Sequence, residues 1–334
     1  MAATGVDMVG TVLATDNPHD LFGVSKEIGK SVYARLARHV HPDRNNDPRA
    51  SDAFDKLQKL WESMDSPSKA AKSTSVTSKL HVYELGELVG RTDIANVYNV
   101  TWDAGHGEGL MKITRKPTDN DLAAAEVRAM KKLREVPDEF QMYHPRLLDA
   151  FRFRDSATKI DRATLVTDRL DGFYSLKQVK EAYPSGISGR DVSWMFRRLL
   201  VAVGTAHDVG LVHGSVVPET VRVHPGMHGI TLVDWSTAVD IGQPLKSAHS
   251  EYHRWVRGTE KTATTHKHDI RFASKTMLTL TRPGDTNLRA FLRGCTISTV
   301  PTAAELLAEF DELLERMYGK RTFHPFVMPT AKDT

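Results

Sequence analysis

Residues 20–61 read DLFGVSKEIGKSVYARLARHVHPDRNNDPRASDAFDKLQKLW. Apolar residues recur there three or four positions apart, on one face of a helix, at Tyr33, Leu36, Ala37 and Val40. A second stripe with the same spacing follows at Phe54, Leu57, Trp61 and Met64. Two amphipathic helices with a short connection bury their stripes against each other, so the pattern predicts an antiparallel helical hairpin.

The polar loop between these two helices begins with the tripeptide His41-Pro42-Asp43. Proline fixes the backbone of a tight loop, so its two neighbours are held outward at a low entropic cost on binding. The first helix also carries basic side chains on the face opposite its apolar stripe, at Lys30, Arg35 and Arg38. Such charges steer encounter with an acidic partner and set its register.

The chain resembles a J domain in the order of its features, which are Asp20-Leu21-Phe22-Gly23-Val24, the first apolar stripe, the tripeptide and the second apolar stripe. The resemblance implies an all-α domain over residues 1–65, with its core at about 18–65. It also implies that the His-Pro-Asp tripeptide triggers ATP hydrolysis in a DnaK-type chaperone, on which the basic face docks.

A change in composition separates this domain from the rest of the chain. Residues 66–79, SPSKAAKSTSVTSK, are almost free of large apolar residues, so they predict a flexible linker. The remainder predicts a second domain over 80–328 and a tail over 329–334. In that second domain short strand-like runs come first and helices follow, which favours an α+β arrangement.

Composition excludes several classes of protein. With 45 basic and 42 acidic residues the net charge is +3, which gives no strong bulk attraction to nucleic acid. The single cysteine, Cys295, excludes an internal disulfide and fits a reducing compartment. No apolar run reaches the length of a membrane span, and the first residues are a poor secretory signal, so we expect a cytoplasmic protein without a membrane partner.

The second domain resembles a protein kinase, which implies a bilobal fold with a small sheet lobe and a helical lobe. The motifs that carry the resemblance are, in chain order, Leu88-Val89-Gly90-Arg91 with Val97-Tyr98, Leu110-Met111-Lys112-Ile113, Ala125-Glu126-Val127, 164–170, 211–220, Asp234-Trp235-Ser236 and Asp269. The resemblance implies that Gly90 covers the phosphates of a nucleotide and that Lys112, oriented by Glu126, binds them. It also implies that Asp234 holds Mg²⁺, so ATP with Mg²⁺ is the expected cofactor.

Two positions of the catalytic loop depart from the kinase pattern, and they decide the chemistry. The loop contains His213, but Ser215 stands where kinases have the aspartate that accepts the substrate proton. Thr220 stands where kinases have the asparagine that holds a second metal ion. Neither hydroxyl is a base at neutral pH or a good metal ligand, which favours a pseudokinase.

Three functions remain open from the sequence. The chain is a co-chaperone whose kinase-like domain binds a client of unknown identity or a nucleotide, an atypical kinase or other nucleotide-dependent transferase recruited by its J domain, or a regulatory pseudokinase. The departures at Ser215 and Thr220 favour the first and the third.

Overall fold

The computed structural model describes residues 7–15, 18–22, 26–45, 47–64, 75–154, 159–247, 249, 252, 255, 263–297 and 301–329. The chain divides into two compact units, Met1–Thr74 and Ser75–Thr334. Some of the predictions fall outside the described residues: those on Gly23 and Val24, on 66–74 of the linker and on 330–334 of the tail.

The described part of the N-terminal unit is helical, with α1 at Met8–Leu13, α2 at Pro18–Phe22, α3 at Lys26–Val40 and α4 at Ala50–Ser63. Helices α3 and α4 pack against each other, which confirms the predicted hairpin, while α1 packs on α4 and α2 on α3. Helix α1 was not predicted from the sequence. The Asp7 carboxylate caps its first turn by accepting from the Gly10 amide at 2.8 Å.

The predicted apolar stripes form the core of this unit. Leu36 and Leu57, one from each stripe, are 5% and 0% exposed. Trp61 stacks on Tyr33 with ring centroids 4.5 Å apart, and Phe22 meets Trp61 edge-on at 5.0 Å. Because the aromatic residues come from α2, α3 and α4, they fix the three helices relative to one another.

The C-terminal unit begins with a six-stranded antiparallel sheet in the order β1-β2-β3-β4-β6-β5. Its strands are β1 at Ser75–Thr77, β2 at Val82–Arg91, β3 at Ala95–Trp102, β4 at Gly107–Thr114, β5 at Leu147–Arg154 and β6 at Asp161–Thr167. One helix, α5 at Asn120–Lys132, lies between β4 and β5 in the chain.

Strand β1 corrects the predicted domain boundary. Val76 is 4% exposed and its strand pairs with β2, so Ser75–Thr77 belongs to the sheet and not to the linker predicted over 66–79. The second domain therefore begins at Ser75 and not at residue 80. A single buried valine between exposed Ser75 and Thr77 was too short an alternation to predict a strand.

A mainly helical lobe follows and contains the largest apolar core of the chain. Its elements are β7 at Tyr174–Ser175, α6 at Leu176–Ala182, α7 at Gly189–Asp208, β8 at Leu211–Val212, β9 at Val221–His224, β10 at Gly229–Leu232, β11 at Val239–Asp240, α8 at His266–Leu280, α9 at Thr286–Gly294 and α10 at Ala303–Tyr318. Short sheets with the strand orders β10-β9-β7 and β11-β8 adjoin the loops at 213–220 and 233–238. The predicted α+β bilobal fold is confirmed.

Helix α7 is the central support of this lobe, with eleven buried residues along its length. Ser188 caps its first turn through the Asp191 amide, and Gly210, with a φ of 73°, reverses the chain just beyond its end. None of the helices in the described residues is both long and apolar enough to cross a bilayer.

Candidate functional sites

The His-Pro-Asp tripeptide forms a tight turn directly after α3. The His41 carbonyl accepts hydrogen bonds from the Arg44 and Asn45 amides at 2.9 and 3.0 Å. The Asn45 side chain then donates to the His39 carbonyl at 2.8 Å, which caps the last turn of the helix. The turn is therefore held by hydrogen bonds to the backbone, and its own side chains are not needed to close it.

The side chains of the turn are presented to solvent. The Asp43 side chain is 85% exposed and that of His41 is 40% exposed. The Asp43 amide donates to His41 Nδ1 at 3.2 Å, so neutral His41 carries its proton on Nε2. The ring also meets Phe54 of α4 edge-on at 4.9 Å. Thus His41 is oriented by both helices of the hairpin, while the Asp43 carboxylate is available to a partner.

The predicted docking charges, Lys30, Arg35 and Arg38, are exposed on α3. At about 3.6 residues per turn their mean direction is opposite that of the buried Leu36 and Val40. Of the three, Arg38 alone lines the open groove of about 490 Å³ beside the turn, together with Ala37, His41, Asp43, Arg44 and Phe54. Arg38 is thus the predicted docking charge that lies beside the tripeptide.

Three ionisable side chains of the predicted nucleotide site meet between the two lobes. Lys112 Nζ donates to Glu126 Oε1 and Oε2 at 2.8 and 2.7 Å and to Asp234 Oδ1 at 2.9 Å. Trp235 N–H donates to Glu126 Oε1 at 3.2 Å, and Ser236 Oγ donates to Asp234 Oδ1 at 2.9 Å. Lys112, Glu126 and Asp234 are called the buried triad below.

Electrostatics in the buried triad favour the charged forms of Lys112 and Asp234. Burial lowers the pKa of Lys112, but the charges of Asp234 and Glu126 outweigh it and raise the pKa above its ordinary value. Burial would raise the pKa of Asp234, yet Lys112 holds it below its usual range. Burial raises the pKa of Glu126, and the charge of the nearby Asp234 carboxylate raises it further, against the opposing effect of Lys112.

The turn between β2 and β3, expected to cover phosphates, is closed on itself. Thr92 Oγ1 accepts from the Ile94 and Ala95 amides at 3.4 and 3.2 Å, and the Thr92 amide donates to the Ala95 carbonyl at 2.9 Å. Arg115 donates to the Thr92 carbonyl at 2.7 Å and also to the Asp93 carbonyl. Three backbone amides that could bind phosphate are thereby occupied.

Gly90 itself lies within β2, paired with Val97, and a Cβ added there would meet nothing within 4 Å. Through Val97 it lies in the same cross-strand row as Lys112, two strands away from that lysine. Nothing in this part of the strand requires a glycine, because no neighbouring atom approaches its Cα closely.

The degenerate catalytic loop is hydrogen-bonded internally. Thr220 Oγ1 donates to the Ser215 carbonyl at 2.6 Å, and Ser215 Oγ accepts from the His249 amide at 3.3 Å. His213 Nδ1 accepts from the Ser215 amide at 3.2 Å and Nε2 faces the Val233 carbonyl at 3.1 Å, so the ring is neutral. Burial accordingly lowers the pKa of His213.

Asp269 supports this loop from below, as the resemblance implied. Its Oδ1 accepts from the Gly214 amide at 2.9 Å, and its Oδ2 accepts from the His213 amide at 2.8 Å. His207 Nε2 lies 3.1 Å from the same Oδ2. Burial would raise the pKa of Asp269, but the hydrogen bond and charge of His207 lower it overall. Asp269 therefore holds the backbone of this loop in place.

The residues between the turn and the catalytic loop do not fit a magnesium nucleotide as arranged. The cavity bounded by Ile94, Ser215, Thr220 and Asp234, among others, measures about 20 Å³, room for about one water molecule. Asp234 is turned to Lys112, and the hydroxyl of Thr220 is used within the loop. As arranged, this cavity has no room for a triphosphate, and one oxygen of Asp234 is already bonded to Lys112.

Sequence reasoning missed Arg115 and His207, which stabilise the turn and the loop. Both bond to groups far along the chain, Arg115 to residues 92–95 and His207 to Asp269. Neither belongs to a motif with a fixed spacing, so the sequence carried no signal for either contact.

Comparison with known proteins agrees with this description of the two units. The family profile of the DnaJ domain matches residues 21–72. Chaperone protein DnaJ of Prochlorococcus marinus is 43% identical over 53 residues, which cover 15% of this chain and 14% of that protein. Casein kinase II subunit alpha' of Saccharomyces cerevisiae is 23% identical over 162 residues, covering 48% of this chain and 43% of that subunit.

Among solved structures, vaccinia related kinase 3 superposes with a TM-score of 0.56 and 17% identity, over 73% of this chain and 91% of that one. The chain therefore carries a DnaJ domain followed by a unit with a protein-kinase-like fold. The chain spans 14% and 43% of the length of the two curated relatives, so the likeness is one of domains and not of whole proteins.

Proposed function

We propose that this protein is a co-chaperone that stimulates the ATPase of a DnaK-type chaperone and uses its kinase-like unit as a non-catalytic adaptor. The observation that carries the proposal is the turn at His41-Pro42-Asp43, closed by backbone hydrogen bonds and presenting an exposed carboxylate beside an oriented imidazole. A rigid, exposed turn of this kind loses little entropy on binding. A cytoplasmic location and a client bound by the second unit are part of the same proposal.

The kinase-like unit supports an adaptor because its reacting parts are replaced and its remaining parts bond to one another. Ser215 and Thr220 supply neither a base nor a second-metal ligand, and the buried triad uses Asp234 internally. Loss of a positioned base alone typically costs about 10²–10⁴ in rate. The geometry therefore favours an adaptor over an atypical kinase or other nucleotide-dependent transferase.

We predict no phosphotransfer by the full chain. Incubation with Mg²⁺ and radiolabelled ATP, alone and with a generic acceptor protein such as casein, should give no more labelling than the Asp234→Asn variant. Autophosphorylation that disappears in Asp234→Asn would instead establish an enzyme. A rise in melting temperature on titration with the same nucleotide, if it is absent in Lys112→Ala, would establish a nucleotide-sensing pseudokinase. This is the second candidate function, which the intact triad allows.

We predict that Arg38→Glu weakens docking on the DnaK-type chaperone several-fold at low salt. Arg38 lies beside the tripeptide in the groove and is exposed, so it acts mainly through long-range attraction. The Debye length falls from about 30 Å at 0.01 M to about 8 Å at 0.15 M ionic strength, so the effect should shrink as salt is added. Surface plasmon resonance over that range measures it.

The matched control is Lys59→Glu, which makes the same charge change at an exposed position of α4 that does not line the groove. Its affinity should stay close to that of the unchanged protein. Equal weakening by both variants would show a general charge effect and contradict a docking role for Arg38.

A further inference from the structure

A cavity of about 440 Å³ lies in the helical lobe between α7, α10 and the segment that follows α10. Gly319 ends α10 with a φ of 72°, and the chain continues to Pro329 without helix or strand. Phe326, 6% exposed, and the Tyr183 hydroxyl, which donates to the Val327 carbonyl, fasten this segment to the lobe. The cavity has the size of a small-molecule site, about 300–1,000 Å³.

One wall of the cavity is a stack of three aromatic rings. Trp194 of α7 lies parallel to His228, with centroids 4.1 Å apart and planes 6° apart. His228 in turn meets Phe323 at 4.3 Å. Burial lowers the pKa of His228, so its ring is neutral at neutral pH. Phe323 ends the stack and remains 65% exposed, which leaves a ring face for a further planar group.

The same wall contains a buried hydrogen-bond donor without an acceptor. Trp194 Nε1 is inaccessible to solvent and has no hydrogen-bond partner among the described residues. An indole N–H can only donate, and leaving it unpaired in the interior is unfavourable. Because this N–H is closed to solvent, a ligand in the cavity meets the indole ring of Trp194, and the N–H signal serves as a reporter of that contact.

The charges around the cavity select an anion. Arg190, Lys320 and Arg321 contribute positive charge, and within the described part of the chain neither Lys320 nor Arg321 has a carboxylate at ion-pair distance. Arg197 is neutralised by Asp311, with Nε to Oδ1 at 2.7 Å, which leaves Glu315 as the remaining acid of the lining. Cations therefore outnumber uncompensated carboxylates three to one.

We propose that this cavity binds a small planar anion, an aromatic ring that carries a carboxylate or a phosphate. The ring extends the stack at Phe323, and the anionic group is bound by Arg190, Lys320 and Arg321. Charge-assisted hydrogen bonds from such side chains are among the strongest available to a small ligand. The site shares no residue with the buried triad.

The test is a titration of the full chain, labelled with ¹⁵N in its five tryptophans, and followed by the indole N–H signals in NMR spectra. The Trp194→Phe variant assigns the signal of Trp194. Phenyl phosphate and benzoate are the anionic probes, and benzyl alcohol is the neutral ring of similar size. We expect a saturable shift of the Trp194 signal with an anionic probe. The probe that binds more tightly, phenyl phosphate or benzoate, identifies the anionic group that the cavity prefers.

The Lys320→Ala/Arg321→Ala double variant should weaken this binding by about tenfold or more. Both side chains are exposed, so their removal does not disturb the core. Arg316→Ala is the matched control, because Arg316 is an exposed arginine of α10 that does not line the cavity. An unmoved Trp194 signal, an equal response to benzyl alcohol, or unchanged affinity in the double variant would overturn the proposal.

Discussion

The His41→Gln variant should lose stimulation of the DnaK-type ATPase and return hydrolysis to the rate of the chaperone alone. Glutamine keeps a polar side chain of similar length but cannot reproduce the imidazole, whose Nδ1 accepts from the Asp43 amide while Nε2–H remains to donate. The ring contact with Phe54 is lost as well. Single-turnover hydrolysis of ATP by the purified chaperone measures the effect directly.

His39→Gln is the matched control for this substitution. His39 lies two residues earlier and is exposed, and its side chain bonds through Nδ1 to the Arg35 carbonyl of its own helix at 2.8 Å. It should stimulate hydrolysis like the unchanged protein. Full stimulation by His41→Gln, or equal loss in both variants, would contradict the proposed role of the turn. Because the backbone of the turn is closed by its own amides, His41→Gln should fold normally.

The N-terminal unit could be predicted almost completely because its determinants are local. The stripes that contain Leu36 and Leu57 specify two helices, and the polar loop between them contains the whole tripeptide. A helical period and a loop proline are properties of neighbouring residues, which a single sequence displays. Helix α1 was missed because Val9 and Val12 are only two buried positions, too few to define a period.

The candidate nucleotide site was predicted in composition but not in arrangement. The sequence placed Lys112, Glu126 and Asp234 in one site, and the structure brings them together. It could not show that Lys112 and Asp234 bond to each other across 122 positions of the chain. Long-range pairing depends on how the two lobes close, and no periodicity or spacing encodes that distance. The closed turn held by Arg115 was hidden for the same reason.

The second large effect is expected in stability. Lys112→Met should lower the free energy of unfolding of the kinase-like unit by about 3–5 kcal/mol at pH 7, the usual cost of leaving a buried charge unpaired. Glu126 is 2% exposed and the Asp234 side chain 15% exposed, so neither carboxylate can turn to bulk water. Urea unfolding followed by tryptophan fluorescence measures it, since four of the five tryptophans lie in this unit.

Lys116→Met is the matched control, because it makes the same substitution at an exposed position and should change stability by less than about 0.5 kcal/mol. The deficit of Lys112→Met should also depend on pH. Without the ammonium group, the two carboxylates repel and one acquires a raised pKa in the folded state. A raised folded pKa contributes stability below the unfolded value that is lost as pH rises. The variant should therefore recover between about pH 7 and pH 4.

Asp234 of the unchanged protein should respond in the opposite sense, whereas Glu126, whose pKa is raised, follows the same sense as the variant. Lys112 depresses the pKa of Asp234, so that carboxylate contributes stability above its unfolded pKa and loses it as pH falls through its folded value. At acidic pH, the loss at Asp234 and the recovery of the variant both reduce the difference in unfolding free energy between the unchanged protein and Lys112→Met. A deficit that is absent at pH 7, or that grows toward pH 4, would show that the buried triad is not the charged cluster described.

Replacing all three charges together separates the structural role of the buried triad from a role in nucleotide binding. In Lys112→Met/Glu126→Gln/Asp234→Asn the amide oxygens can still accept from the Trp235 amide and the Ser236 hydroxyl, and no buried charge remains. Removing a whole buried ion cluster is often close to neutral, whereas removing one member is not. We therefore expect the triple variant to regain most of the stability that Lys112→Met loses. Recovery without any ATP-dependent stabilisation of the unchanged protein would make the triad a clamp between the lobes, which is the role an adaptor requires. A triple variant as unstable as Lys112→Met would instead show that Lys112 stabilises the unit through packing of its aliphatic stem, not through charge.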